Sequence, residues 1–342
     1  MADYLALLTR PEVQQFIAGQ EQADVQELVL RHQEILGVPS SWIATQIIGR
    51  RKAKEKLPLW YNLPGIVYPP SLNIEQCSSE ATARYKQSLV KGHHSADLTG
   101  GFGVDSFFFS RVFDMHDYVE PDENLLTLAQ HNHLLLGAGN IRYHKETAEQ
   151  FIRSTDQAFD LLFVDPSRRA GARKVIRLAD AIPNVVAIHE ALMQRSRQLL
   201  IKASPLLDLK QASRELPFID QFIVLAHENE CKELLIVLRR GNEPSEPTIH
   251  AVNLERDGEP TPFAFTWTQE KAARVEYGNP RGYLYEPNSA IMKAGAFKLI
   301  GQQYGLTKLA ADSHLYTADE KYDDFPGRLF KNIEQVALNK SL

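Results

Sequence analysis

Four short stretches of this chain carry residue types that can hold a nucleotide-like molecule and pass a small group onto nitrogen. In ADLTGGFGVDSFFFS, residues 96–110, Asp97 precedes three glycines. Gly101 and Gly103 can take positive φ or let the backbone approach a ligand closely. The same glycines would also suit a tight turn feeding a buried helix, with the phenylalanines as its core face. Glu120, in YVEPDEN, can accept two hydrogen bonds from a ribose diol. Alone it fits a solvated strand-end acid as well. Glu146 and Thr147 can reach an adenine amine, or can serve as a first-turn acid and a local helix cap. In FVDPSRRAG, Asp165–Pro166 makes a rigid turn beside a carboxylate, followed by Ser167. Such a pair can accept hydrogen bonds from an amine and aim its lone pair at an electrophile. Methyl transfer from a sulfonium needs little more than in-line positioning and proton removal. Arg168 and Arg169 can clamp phosphate, or can be solvated arginines at a strand exit.

A fifth stretch bears on the partner. GRRKAKEKLPLW places Arg50, Arg51, Lys52, Lys54 and Lys56 beside Trp60 and Tyr61. A basic run with adjacent aromatics can track phosphates and stack a base, or it can be a basic helix end favoured by the helix dipole. The 342 residues carry a formal net charge of −5, so any nucleic-acid site must be a local patch. The only two cysteines, Cys77 and Cys231, have no metal-ligand spacing and read as reduced thiols. Neither a membrane-length apolar run nor a signal sequence is visible, so the expectation is a soluble, cytoplasmic protein without metal.

The elements that must position these residues follow from periodicity. Residues 1–74 read as helical, through PEVQQFIAGQ, DVQELVLRHQEIL and SSWIATQIIGRRKAKEKL. A proline-rich connector follows, then SSEATARYKQSLV as a helix capped by Ser78. From His94 to Arg240 strands alternate with amphipathic helices, as in a mostly parallel sheet covered on both faces. DQFIVLAH and KELLIVLRR, four residues apart, must pair as an antiparallel hairpin, giving seven strands. GNEPSEPTIHAV reads as a turn-rich boundary. Beyond it, residues 242–342 read as a small α+β, ferredoxin-like module with strands FAFTWT, YLYEP, TKLAADSHLYTA and RLFKNIEQVAL and one helix, NSAIMKAGAFKLIGQQYG.

DLTGGFGVD, YVEPDENLLTLAQHN and FDLLFVDPSRR, in this order and followed by the hairpin, resemble the class I S-adenosylmethionine-dependent methyltransferases over residues 75–241. That resemblance implies a Rossmann-like sheet and S-adenosylmethionine as cofactor. It implies Asp97, Thr99, Gly101, Phe102 and Gly103 around the cofactor's methionine part, Glu120 on its ribose, and Glu146 or Thr147 near its adenine. DPSRR occupies the place of the (Asp/Asn)-Pro-Pro-aromatic motif of amino-group methyltransferases. Ser167 replaces the second proline and Arg168 the aromatic, so stacking of a base from that position is lost. With DPSRR and the segments LPLWYNLPGIVYPPSLNIEQCSSEATARYK and RGYLYEPNSAIMKAGAFKLIGQQYGLTKLAADSHLYTAD, nearly the whole chain is similar to bacterial methyltransferases bearing a THUMP-like domain. A further domain past the last strand is the corresponding expectation. EQCSSEATARYK also resembles the lead-in of cap-trimethylguanosine synthases, which implies Gln76, Ser78, Ser79 and Thr82 as a cover over the cofactor. The DPxR pattern is similar to that of RNA 5-methylpyrimidine methyltransferases, but LLIKASPLLDL lacks their cysteine nucleophile. Together these similarities imply N-methylation of a nucleobase in structured RNA, with Asp165, Pro166, Ser167 and Arg168 at the reaction and Arg169, Arg50, Arg51 and Lys52 on the substrate. Methylation of a protein or small molecule, or RNA binding without catalysis, are the alternatives.

Overall fold

The computed structural model describes residues 2–167, 169–170, 173–174, 177–255 and 262–332. The chain divides into two compact units, residues 1–173 with 179–201, and residues 174–178 with 202–342.

The first unit opens with helices Ala2–Leu8, Pro11–Gly19 and Val25–Arg31. The expected continuous helix over residues 24–36 stops at Arg31. A small hairpin, Glu34–Ile35 with Val38–Pro39, follows instead, because Leu36 and Gly37 both turn at positive φ. Helix α1 (Ser40–Lys56) then carries the basic run, and α2 (Glu80–Ser88) leads into the sheet. The cap of α2 is Ser79 rather than Ser78: Ser79 Oγ accepts from the Thr82 amide at 3.2 Å.

Five parallel strands follow: β1 (Gly92–Asp97), β2 (Phe113–Val119), β3 (Ile141–His144), β4 (Phe159–Val164) and β5 (Ser196–Ala203). Between them run α3 (Val104–Ser110), α4 (Glu123–Leu135), α5 (Ala148–Ser154) and α6 (Val185–Arg195). Pairing β3–β2–β1–β4–β5 reverses direction of travel between β1 and β4. That crevice, outside the carboxyl ends of the strands, is where open α/β sheets bind ligands. Asp97 pairs in register with Phe163, two residues before Asp165, so both acids end up at the crevice.

Phe107 and Phe108 of α3 pack on the buried Trp60, with Phe107 edge-on at 5.2 Å. Ile43, Ile47, Trp60, Phe102, Phe107 and Leu128 belong to one core. The helices before residue 75 therefore share a core with the helix that follows the glycine loop, with Trp60 in direct contact with it. Burial of each large side chain of this kind is worth about 1.5–3 kcal/mol.

The second unit holds α7 (Leu209–Glu215), the expected hairpin β6 (Gln221–His227) and β7 (Glu230–Arg239), and two further strands, β8 (Thr248–Leu254) and β9 (Phe263–Phe265). Strand β8 pairs in parallel with β6 and antiparallel with β9. The segment read as a turn-rich boundary thus ends in a buried strand. FAFTWT is a strand only through Phe265, since Thr266 and Gln269 form a capping box that starts α8 (Trp267–Ala272). A four-stranded antiparallel sheet closes the unit: β10 (Tyr283–Pro287), β11 (Thr307–Lys308), β12 (Tyr316–Ala318) and β13 (Gly327–Lys331), ordered β11–β12–β10–β13. The single expected helix is split into α9 (Ser289–Ala294) and α10 (Leu299–Gln303), because Gly295 ends the first turn set at φ +87. Residues 333–338 of the expected last strand lie outside the described residues.

Candidate functional site

The loop joining β1 to α3 is held from inside the first unit. The Tyr118 hydroxyl donates to the Gly101 carbonyl at 2.6 Å, and His133 Nε2 lies 2.7 Å from the Gly103 carbonyl. A Cβ on Gly100 would fall 2.2 Å from the Tyr118 ring, and one on Gly103, at φ +83, would fall 2.5 Å from His133 Nε2. These two glycines permit protein-to-loop approach. Beside Gly101 the nearest heavy atom to such a Cβ would be 3.8 Å away, so that side of the loop is open.

Glu120 is buried beneath this loop and is wired to it. Its Oε2 accepts from the Gly101 amide and its Oε1 from the Asp122 amide, each at 2.9 Å. A carboxylate has about four acceptor sites, so both oxygens keep capacity for the two hydroxyls of a diol. Burial raises the Glu120 pKa, the two backbone bonds oppose that rise, and the nearby Asp122 charge adds to it.

Asp97 is 1% exposed. Ser106 Oγ donates to its Oδ2 at 2.6 Å and the Thr99 amide to its Oδ1 at 3.0 Å. Burial pushes its pKa up to about 7, against those two hydrogen bonds and helped by the charges of Asp105 and Asp165. A carboxyl so displaced, in the crevice of an open sheet, makes Asp97 a candidate functional residue. Thr99 ties the two strand ends together: its Oγ1 accepts from the Asp165 amide at 2.7 Å. Thr99→Val keeps the shape but leaves that amide without its acceptor. The substitution is expected to cost about 1–3 kcal/mol of stability, read as a lower urea midpoint with an unchanged slope.

Pro166 is buried, and Ser167 is exposed with its amide bonded to the Ile182 carbonyl at 2.7 Å. Arg168 lies outside the described residues; for Arg169 the backbone alone is described, in a two-residue strand paired with Arg173–Lys174. The Phe102 ring faces the core, 6.4 Å from Tyr68, so that residue offers the site only its backbone. Thr147 is the cap of α5, in a capping box with Gln150. Glu146 lies beside it in an open depression of about 460 Å³ lined also by Lys145, Gln150, Arg153 and Ser154.

In the lead-in, Gln76 is exposed and Ser79 caps α2. Ser78 is buried and makes a different contact. It donates to Asp105 at 2.6 Å and accepts from the fully buried Lys86 at 2.8 Å, with Lys86 and Asp105 paired at 3.1 Å. The lead-in is thus clipped to the first turn of α3, immediately after the glycine loop.

The basic run of α1 is engaged within its own unit. Arg50 bonds Glu21 and the Tyr61 carbonyl and lies 4.2 Å over the Tyr61 ring. Arg51 bonds the carbonyls of Glu21 and Ala23. Lys52 meets Ser71 and Glu75. Trp60 is fully buried and has no face for a base. These contacts close the N-terminal helices on one another. Among the described residues no group of three or more His, Cys, Asp or Glu is placed to hold a metal, and no helix is long and apolar enough to cross a membrane.

Residues 283–326 match the model of a ferredoxin-like domain. Over the whole chain, the structure is similar to a candidate methyltransferase from Porphyromonas gingivalis W83, with 29% identity, a TM-score of 0.84, and coverage of 97% of this chain and 82% of that one. The two share one fold. Part of the chain also aligns with a candidate methyltransferase from Streptococcus mutans in complex with SAH (12% identity, TM-score 0.36, 46% of this chain and 96% of that one). It aligns likewise with TrmK of M. capricolum in complex with S-adenosylhomocysteine (14% identity, TM-score 0.34, 47% and 69%). No curated protein matches the sequence. The fold is mixed α/β with a central, mostly parallel sheet and a C-terminal ferredoxin-like domain.

Tyr118, His133, Ser106 and Lys86 escaped the sequence reading. Tyr118 and His133 look like core residues, and only their polar tips, aimed at loop carbonyls, give them a second role.

Proposed function

We propose that this chain is an S-adenosylmethionine-dependent methyltransferase that methylates an amino or ring nitrogen of a nucleobase in structured RNA. We further propose residues 75–241 as its catalytic part and a kinship with the THUMP-like-domain enzymes. One observation carries the reading: a buried glutamate at the end of β2 takes the amide of a glycine loop at the end of β1, at the switch point of the sheet. The fold shared with the Porphyromonas gingivalis protein supports it.

The residues present fit the cofactor. Glu120 would hold the ribose hydroxyls, the open side of Gly101 would admit the methionine part, and the buried Asp97 would face its ammonium. When bound, S-adenosylmethionine supplies a methyl group on a positively charged sulfur. The chain's own work is positional. Thr99 fixes the backbone of Asp165 at 2.7 Å, and Pro166 locks the turn that follows. The Asp165 carboxylate accepts a hydrogen bond from the acceptor N–H, which orients the nitrogen lone pair and takes up the proton that must leave.

The internal engagement of Arg50, Arg51 and Lys52 favours a second reading, the same transfer to a protein or small molecule, since it occupies one basic surface that RNA would use. Calorimetric titration with S-adenosylhomocysteine tests the cofactor, and a folded protein that binds none rejects the reading. Labelled S-adenosylmethionine with total RNA and total protein from cells lacking the enzyme separates the substrates. Label in RNA supports the first reading, and label confined to protein or small metabolites the second.

A further inference from the structure

We propose that Tyr118 and His133 are positioning residues for cofactor binding, acting as a clasp on the carbonyl side of the glycine loop. This inference rests on the methyltransferase reading. Both residues sit behind the loop, fully buried, and each reaches a different carbonyl: Tyr118 the one at Gly101, His133 the one at Gly103. A trans peptide is planar, with its C=O and N–H on opposite sides. Holding the Gly101 carbonyl toward Tyr118 therefore turns the Phe102 N–H away from Tyr118. The Phe102 ring stays in the core, so its amide is what this residue can present to a ligand. Holding the Gly103 carbonyl fixes the other end of the same short segment.

The donors are fixed as donors. Burial holds the Tyr118 phenol well above its usual pKa. Burial pushes the His133 pKa down to about 4, so the imidazole is neutral and carries one N–H. A carbonyl only accepts, which puts that N–H on Nε2; Nδ1 then accepts from the Tyr143 hydroxyl at 3.1 Å. The Gly103 carbonyl thereby selects the tautomer, and the Tyr143 hydroxyl, which can donate or accept, adapts to it. The Glu120 bond to the Gly101 amide restrains the preceding peptide as well, so consecutive peptides of the loop are held through a carbonyl and an amide. A ligand meeting such a loop has no peptide planes left to order, and preorganisation of this kind lowers the cost of binding.

The test is S-adenosylhomocysteine affinity, by calorimetry, of wild type, Tyr118→Phe, His133→Leu and His133→Gln, with thermal unfolding measured alongside. Gln places an amide N–H near the position of the imidazole Nε2–H, whereas Leu offers none. The expected result is affinity about tenfold weaker for Tyr118→Phe and His133→Leu, and within about threefold of wild type for His133→Gln. If either Tyr118→Phe or His133→Leu fails to fold, the other with His133→Gln decides. Equal affinity for Leu and Gln at position 133, at any level, overturns the clasp as a hydrogen-bonding device. Wild-type affinity throughout, with only stability changed, assigns both residues to packing and overturns it too. Wild type that binds no S-adenosylhomocysteine rejects the methyltransferase reading and the clasp with it.

Discussion

Asp165→Ala is expected to lower methyl transfer by about 10²–10⁴-fold, the usual worth of a positioned acid or base, while S-adenosylhomocysteine affinity stays within about threefold of wild type. The separation follows from how Asp165 is held. Its place at the rim is set through its backbone amide, which bonds Thr99 Oγ1 at 2.7 Å and survives truncation of the side chain. Pro166 is buried and keeps the turn rigid. Thr99, Asp97 and Glu120 keep their own bonds to one another and to the loop. What is lost is the acceptor for the N–H of the substrate nitrogen. Asp165→Asn should fall between the two, because its amide oxygen still accepts a hydrogen bond but takes up no proton. Single-turnover rates with labelled cofactor, set beside calorimetry on the same preparations, read the two quantities separately. A loss of affinity as large as the loss of rate would reassign Asp165 to the cofactor. Full activity would remove it from the reaction.

The parts of this site that were legible in the sequence are those set by strand ends. Asp97, Glu120 and Asp165 each stand at or just past the end of a strand, and a parallel sheet brings such ends to one rim. The glycines were legible as a loop, but their division of labour was not. Gly100 and Gly103 make room for Tyr118 and His133, residues that lie in the next strand and helix and that only tertiary packing brings there. The lead-in shows the same limit. SSEATARYK offers two adjacent serines as caps, and the choice of Ser79 follows from Ser78 being drawn to Asp105 and Lys86, partners too distant in sequence to read. The basic run of α1 was legible as charge, yet Glu21, Ala23 and Glu75, which engage Arg50, Arg51 and Lys52, lie 23–30 positions away, the first two in the turn between two preceding helices. The end of FAFTWT, by contrast, could have been read. T-x-x-Q at Thr266 and Gln269 is a helix start, and the β-propensity of the aromatics masked it.

Asp97→Asn is expected to stabilise the protein while weakening its affinity for S-adenosylhomocysteine. In the folded chain the Asp97 carboxyl titrates near 7 because it is buried, against an ordinary value of 3.8. Between these values the folded state holds a proton that the unfolded chain has released, so this group's contribution to stability falls as pH rises from about 4 to 7. At about 1.4 kcal/mol per pH unit, the cost accumulates to roughly 4 kcal/mol by pH 8. Asn has no proton to lose. It can also keep both contacts, with its carbonyl taking the Thr99 amide and its amide group donating to Ser106. The stability difference between the variant and wild type should therefore be smallest near pH 4 and widen to about 4 kcal/mol at pH 8, read from urea midpoints across that range. His133 shifts the opposite way: its folded pKa of about 4 makes both proteins lose stability as pH falls from 6.5, so it cancels in the difference. Binding supplies the second half of the expectation. An ammonium group against Asp97 favours the carboxylate, so at pH 6.5 wild type should release a proton on binding S-adenosylhomocysteine, and Asp97→Asn should release none. Calorimetry in two buffers of different ionisation enthalpy measures that proton directly. A pH-independent stability difference would remove the buried titration, and equal proton release in both proteins would place the ammonium elsewhere. The natural residue thus retains a carboxyl that costs stability at neutral pH, which is the expected sign for a group kept for its ligand rather than for the fold.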